Sequence, residues 1–133
     1  MLLNIVTPEK VFFSDQVEST LVPGMEGELG LLPNHAPLVT VLEPGELRYT
    51  HEGAEHVIAV GEGFVEVTQD HVSILTDIAV TDEQIDEDVE QKAVERARKA
   101  LEDTDHSAEE LAAVRASLSK SLAKLQVKRR NRH

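Results

Sequence analysis

Cysteine is absent from the 133 residues, which excludes a disulfide framework, thiolate metal sites and a cysteine nucleophile. Tryptophan is also absent, tyrosine occurs once and aromatics make up 3% of the chain, so a core has to be assembled mainly from Val, Leu, Ile and Ala. No apolar run approaches the roughly 20 residues needed to span a bilayer. The opening Met1-Leu2-Leu3-Asn4-Ile5-Val6 carries no basic leader and reads as a strand rather than a signal peptide. A soluble chain is expected, with any membrane association made through partners and no direct lipid insertion. Apolar residues nevertheless reach 41%, close to the globular norm, which argues against wholesale disorder. The length suits one ordinary domain, or a small domain with an appendage.

Basic residues are scarce in the first part of the chain. Residues 1–80 hold 13 acids against two bases, Lys10 and Arg48, whereas residues 81–133 hold 12 acids against 11 bases. From Val114 onward there is no acid, while Arg115, Lys120, Lys124, Lys128, Arg129, Arg130 and Arg132 are basic. An acidic body with a basic tail argues against nucleic acid as a partner of the body and leaves an acidic partner for the tail.

Up to about Asp77, short β-rich runs alternate with turn residues. The runs are 2–6, 28–32, 38–42, 46–50, 56–60, 64–67 and 72–75, together with a stretch from Val11-Phe12-Phe13 into Val17, Ser19 and Leu21 at period two. Turns every eight to twelve residues or so favour antiparallel strands in a sandwich or barrel. After Thr81 the pattern becomes helical. Thr81-Asp82-Glu83-Gln84 fits a capping box, and Ile85, Val89, Ala93, Ala97 and Leu101 follow at intervals of four. Ser107-Ala108-Glu109-Glu110 is a second capping box, followed by the stripe Leu111, Val114, Leu118, Leu122 and Leu125. Two helices of similar length with a short break between them predict an antiparallel hairpin. Its stripes are narrow and alanine-rich, so it must lean on the sandwich or on a partner. The expected class is α+β, with an N-terminal antiparallel β-sandwich or barrel over 1–80 and a two-helix hairpin over 81–133.

Catalytic patterns are missing. His35, His51, His56, His71, His106 and His133 show no metal-ligand spacing, and no serine sits in a nucleophile elbow. Glu26 and Glu28 could form the acid–base pair of a small hydrolase, but in an acidic chain such pairs are normally solvated turn residues. Gly24-Met25-Glu26-Gly27-Glu28-Leu29-Gly30 lacks the ending and the following helix of a phosphate loop. The chain is expected to be non-catalytic and to need no cofactor. The densest local signal is Pro23-Gly24-Met25-Glu26-Gly27-Glu28-Leu29-Gly30-Leu31-Leu32-Pro33-Asn34-His35-Ala36-Pro37-Leu38, whose three glycines and three prolines imply fixed turns around one short strand.

That segment resembles the signature region of the F-type ATP synthase epsilon subunits, written G-x-x-G-x-[IL]-G-[IVL]-x-P-x-H-A-P. Gly61-Glu62-Gly63-Phe64-Val65-Glu66-Val67 is similar to a second family stretch, GGFxEV, with Glu62 at one of its glycines. The resemblance covers essentially the whole chain. It implies a rotor subunit in proton-driven ATP synthesis, its sandwich against the gamma subunit at the foot of the central stalk. Glu28, Leu29, Gly30 and His35 are the implied contacts to the c-ring and gamma. It also implies C-terminal helices that fold on the sandwich or extend into the catalytic head and block hydrolysis. There Arg115, Lys120, Lys124, Lys128, Arg129 and Arg130 would meet acidic segments of alpha and beta. The implied location is the cytoplasmic face of a bacterial plasma membrane, or less readily a thylakoid, whose relatives share the 32–37 run.

Some members bind ATP through Ile-Asp-x-x-Arg-Ala at the first helix. Here Ile85 and Asp86 match, but Val89 and Glu90 replace the last two positions, leaving Arg96 and Arg98 as the nearest cations. An acid beside a triphosphate disfavours binding, so ATP affinity is expected to be weak or absent. The competing readings are a stand-alone nucleotide- or anion-sensing module, which would bind ATP without a rotor partner, and the carboxylate hydrolase.

Overall fold

The computed structural model describes residues 1–103 and 105–130. Its strands are β1 (Leu2–Val6), β2 (Val11–Gln16), β3 (Ser19–Gly24), β4 (Gly27–Leu31), β5 (Leu38–Leu42), β6 (Gly45–His51), β7 (Ala54–Val60), β8 (Gly63–Val67), β9 (His71–Thr76) and β10 (Ala79–Thr81). A 3₁₀ turn (Asp82–Gln84) leads to helices α1 (Glu87–Glu102) and α2 (Ala108–Arg130). No described helix is long and apolar enough to cross a membrane.

Pairing runs β10-β7-β6-β3-β5-β8-β9-β1-β2, with β4 added beside β3. Strand β3 passes between two layers: its body pairs with β4 and β6, while Gly24 at its end pairs with Leu42 of β5. The expected antiparallel sandwich is therefore present, with one exception, since β1 runs parallel to β9. Tight turns explain the rest. Glu52 and Gly53, both with positive φ (51° and 80°), form the two-residue connection of the β6–β7 hairpin, the backbone that matches strand twist.

The core follows the two-residue period. Leu3, Ile5, Val22, Leu31, Leu42, Leu47, Ile58, Val60, Val65, Val72 and Ile74 are buried between the layers. The stretch from Val11 is not one strand, as its alternation suggested. It breaks after Gln16, and beyond the break Thr20 and Val22 point inward while Leu21 does not. Thr20 can occupy an inward position because its hydroxyl donates to the Arg48 carbonyl at 2.8 Å.

Gly63 sets the distance between β8 and β9. A Cβ there would collide with the carbonyl of Leu75, backbone that cannot step aside. At the far end, the His51 Nδ1–H donates to the Gln16 carbonyl at 2.8 Å, tying the β6–β7 hairpin to β2. Its ring meets Phe13 edge-on at 5.4 Å, and Phe13 packs on Tyr49 at 4.5 Å. Gly63→Ala is expected to lower stability by about 1 to 3 kcal/mol in a denaturant titration, the usual cost of overpacking.

The bond to Gln16, reinforced by Glu52 and Asp15, holds the His51 pKa above its ordinary value against a smaller opposing effect of desolvation. Because the folded pKa is raised, the stabilisation is full below the unfolded value of about 6.5 and is lost as pH rises through the folded one. An NMR titration of the His51 ring should show a midpoint above about 6.5, and the His51→Gln variant should lose that part of the pH dependence of stability.

Candidate functional site

The proline- and glycine-rich segment forms the β3–β4 hairpin and the connection to β5. Glu28 and Gly30 are exposed on β4, an edge strand that pairs only with β3 among the described strands. Leu29, between them, turns inward and packs against the core, so it is a support rather than an exposed contact. His35 is half-buried, its Nδ1–H donating to the Ala36 carbonyl at 2.8 Å. Asn34, with φ 68°, donates its backbone N–H to Gln69 and anchors the connection to the β8–β9 turn.

The helices stack in a fixed order. The C-terminal half of α2 lies between α1 and the outer faces of β6 and β7, and Ser121, Ala123, Leu125 and Val127 are all buried. Val127 packs with Ala59 and Ile85, flanked by Val57 and Val80. Burial on two sides explains why the predicted stripe is only partly right, with Leu125 inside and Leu122 exposed. In α1 the buried residue is Val94, whereas Val89 is 54% exposed. The helices also differ in length, with 16 and 23 residues.

The cations of α2 are engaged within the chain. Lys120 pairs with Asp77, Lys124 with Glu90 at 3.6 Å, and Lys128 with Asp82 at 3.5 Å while donating to its carbonyl at 3.2 Å. Arg129 reaches Glu87 at 3.3 Å and Gln91 at 2.7 Å. Arg130 bonds Glu46, a carboxylate almost fully buried and also held by Arg48 at 3.0 Å. Arg115 is exposed and makes no such pair among the described residues. Arg132, part of the same cluster in sequence, lies outside the described residues.

A second surface was not singled out by the sequence reading. On the outer face of β5-β8-β9-β1-β2, Val41, Phe64, Leu75, Val6 and Val11 are successive cross-strand partners. Phe64 is 58% exposed, Leu75 54% and Val11 60%, and Val39 on β5 reaches 71%. The neighbouring row begins at Val39 and is polar beyond it, with Glu66 opposite Ser73 and Ser14 donating to Asn4 at 2.6 Å. The signal for it was Phe64, one of three phenylalanines, at the outward phase of a strand whose Val65 and Val67 face in. An apolar row this continuous on a solvated face marks an interaction surface.

Residues 1–82 match the family model described as "ATP synthase, Delta/Epsilon chain, beta-sandwich domain". Over 132 residues the chain is 42% identical to the ATP synthase epsilon chain of Herpetosiphon aurantiacus, covering 98% of this chain and 96% of the relative. The chain belongs to the ATP synthase epsilon chain family. It is also 41% identical to the epsilon chain of Anaeromyxobacter dehalogenans over 128 residues, covering 92% and 97% of the two chains. Among solved structures it resembles a chain of the Euglena gracilis mitochondrial ATP synthase (OSCP/F1/c-ring), with a TM-score of 0.81 at 26% identity, covering 95% of this chain and 79% of that one. A Tetrahymena thermophila mitochondrial ATP synthase chain, at TM-score 0.66 and 14% identity, shares the fold.

The residues where the chain turns from sandwich to helices have structural roles here. The Thr81 capping box forms, with Gln84 accepting the Thr81 N–H at 2.9 Å, but it caps the 3₁₀ turn and not α1. Asp86 is the N-cap of α1, its carboxylate accepting the Val89 N–H at 3.2 Å. Ile85 breaks the helical path between them with an extended backbone and is buried beneath α2. Arg96 is exposed on α1. At the hairpin tip Ser107 Oγ accepts the Glu110 N–H, but the Glu110 carboxylate takes the His106 ring at 2.9 Å instead of reaching back. Among the described residues no group of three or more His, Asp or Glu side chains could hold a metal ion.

Ile85→Ala should loosen the hairpin more than the sandwich. The expected loss is about 2 to 5 kcal/mol in the protection of α2 amides by native-state hydrogen exchange, with β8 and β9 amides little changed.

Proposed function

We propose that this epsilon-family chain is a non-catalytic rotor subunit that joins gamma to the c-ring and restrains ATP hydrolysis through its helices. Family membership brings it to the synthase, and the single observation that carries the coupling role is the exposed row Val41-Phe64-Leu75-Val6-Val11. We assign that row to gamma. It is too apolar to remain solvated in a rotating shaft, and its acidic surroundings, Glu62 and Glu66, favour a partner with an apolar centre and a basic rim. The c-ring would then meet the edge carrying Glu28, Gly30 and His35, with Leu29 behind it. Residues 1–80 form the coupling unit and 81–133 the regulatory one.

In this reading α2 has two docking partners. On the sandwich its cations meet the chain's own acids; extended, they would meet acidic segments of alpha and beta. Bacterial relatives favour the cytoplasmic face of a plasma membrane, with attachment through the complex rather than lipid. Nucleotide binding is expected to be weak or absent, because Glu90 and Val89 stand where the motif has Ala and Arg.

The tagged chain should recover gamma, alpha and beta from detergent-solubilised membranes of its own organism. Recovery of none of them, with the complex present, would reject the rotor role in favour of a ligand-sensing module. Replacing Phe64 and Leu75 together by Glu is expected to weaken capture of gamma by at least about a hundredfold, because each charge would be buried unpaired. Unchanged capture would move the gamma contact elsewhere.

A further inference from the structure

Two hollows indent the surface at one border of the apolar row, on either side of Glu62 and Gly63. One, of about 360 Å³, is lined chiefly by Val6, Pro8 and Leu75, with Thr76 and Asp77 at the end of β9. The other, of about 410 Å³, has Val41, Leu42 and Phe64 as its apolar wall and Glu43, Glu62 and Asp77 as its charged lining. Gly63 contributes backbone to both.

The three acids of the second hollow are not equivalent. Asp77 is paired with Lys120 of α2, and its backbone N–H donates to the Glu62 carbonyl at 3.1 Å. Glu43 and Glu62 are exposed, and among the described residues their carboxylates have neither a cation nor a hydrogen-bond donor. Because Leu42 pairs with Gly63, these two glutamates come to opposite positions one residue beyond the β5–β8 ladder. Like charges so placed destabilise a sheet, and nothing described in the chain compensates them. Glu62 also stands where the related stretch GGFxEV has glycine, so the family pattern does not ask for an acid there. On the opposite border of the row Glu66 is a single acid beside Ser73, and it lines neither hollow. The uncompensated charge is therefore concentrated on one side of the apolar row.

We propose that the hollow between Val41, Phe64, Glu43 and Glu62 is a socket for one basic side chain, a lysine or arginine of the subunit that covers the apolar row. Its methylene stem lies on Val41 and Phe64, and its charge sits between the two carboxylates. The hollow at Val6, Pro8 and Leu75 takes an apolar side chain. A base and an apolar anchor side by side give the partner one direction along the row, which an apolar stripe alone does not. Glu62 is then a specificity residue of this chain, since a partner without the base leaves two carboxylates covered and unpaired. The socket rests on the assignment of the row to gamma.

The test measures the affinity of gamma from the same synthase for the full chain at about 0.05 M and about 0.5 M NaCl. Glu43→Gln combined with Glu62→Gln should weaken binding by about tenfold or more at low salt and change it little at high salt, where screening has removed the attraction. Glu66→Gln should cost less than about threefold at either salt. Glu62→Lys should weaken binding further than Glu62→Gln at low salt, a difference that lost packing would not produce. Equal salt dependence in the double variant and the unaltered chain, or a loss from Glu66→Gln as large as that of the pair, would overturn the socket. If replacing Phe64 and Leu75 by Glu still abolishes binding in that case, the row keeps its assignment to gamma. No binding by the unaltered chain at either salt would remove the assignment and the socket together.

Discussion

The contact between Val127 of α2 and Ala59 of β7 decides how the two parts of the chain meet. The C-terminal half of β7 is covered on both faces: Ile58 and Val60 point into the sandwich, while Ala59 and Val57 point out beneath the helix. A small residue at 59 lets the backbone of α2 come close. Ile85 fills the remaining space and at the same time forces the chain to break between the 3₁₀ turn and α1. That break aims α1 onto the far side of α2. The stacking order of sandwich, then α2, then α1 follows from those three side chains.

Charge then fits around this order. Read linearly, the chain divides into an acidic body and a basic end; folded, that division becomes a pairing. The buried Glu46 is clasped between Arg48 of its own strand and Arg130 from the end of α2. Arg48 donates through Nε and Nη2 to one carboxylate oxygen, at 3.2 and 3.0 Å, and Arg130 takes the other, so both oxygens are satisfied away from water. Among the described residues Asp82 has no such second cation, and Lys128 is its one partner.

Much of this could be read in advance, and the failures have physical causes. The sandwich was legible because its inward residues alternate and its turns carry Gly, Pro and Asn at positions that demand them, as at Gly53 and Asn34. The parallel β1–β9 pair was not, since pairing partners of distant strands leave no local trace. The short strand β10 escaped for want of length. In the helices a single-stripe expectation misplaced Val89 and Leu122, because α2 is buried on two faces and such a helix has no single apolar stripe to find. The cations of α2 were visible as a run, but their partners, from 34 positions away (Lys124 to Glu90) to 84 (Arg130 to Glu46), were not. Phe64 was in view throughout within a motif, yet its outward direction became meaningful only when Leu75 and Val41 were seen on either side of it.

The two outer faces of the sandwich differ in the kind of free energy they offer, which bears on the proposed division of labour. Covering the apolar row with a partner would gain about 1.5 to 3 kcal/mol for each large side chain buried, and salt would scarcely weaken it. An exposed ion pair contributes only about 0 to 1 kcal/mol and is screened. A face built from Phe64, Leu75 and Val11 therefore suits attachment that persists through every turn of a rotor. The docking of α2 on the other face, built in part on the ion pairs of Lys120, Lys124 and Lys128 with acids of the chain, suits a contact that is made and broken, because each pair can be exchanged singly for one of the same kind. Reversing the two chemistries would give a subunit that drifts off its shaft yet cannot release its helix.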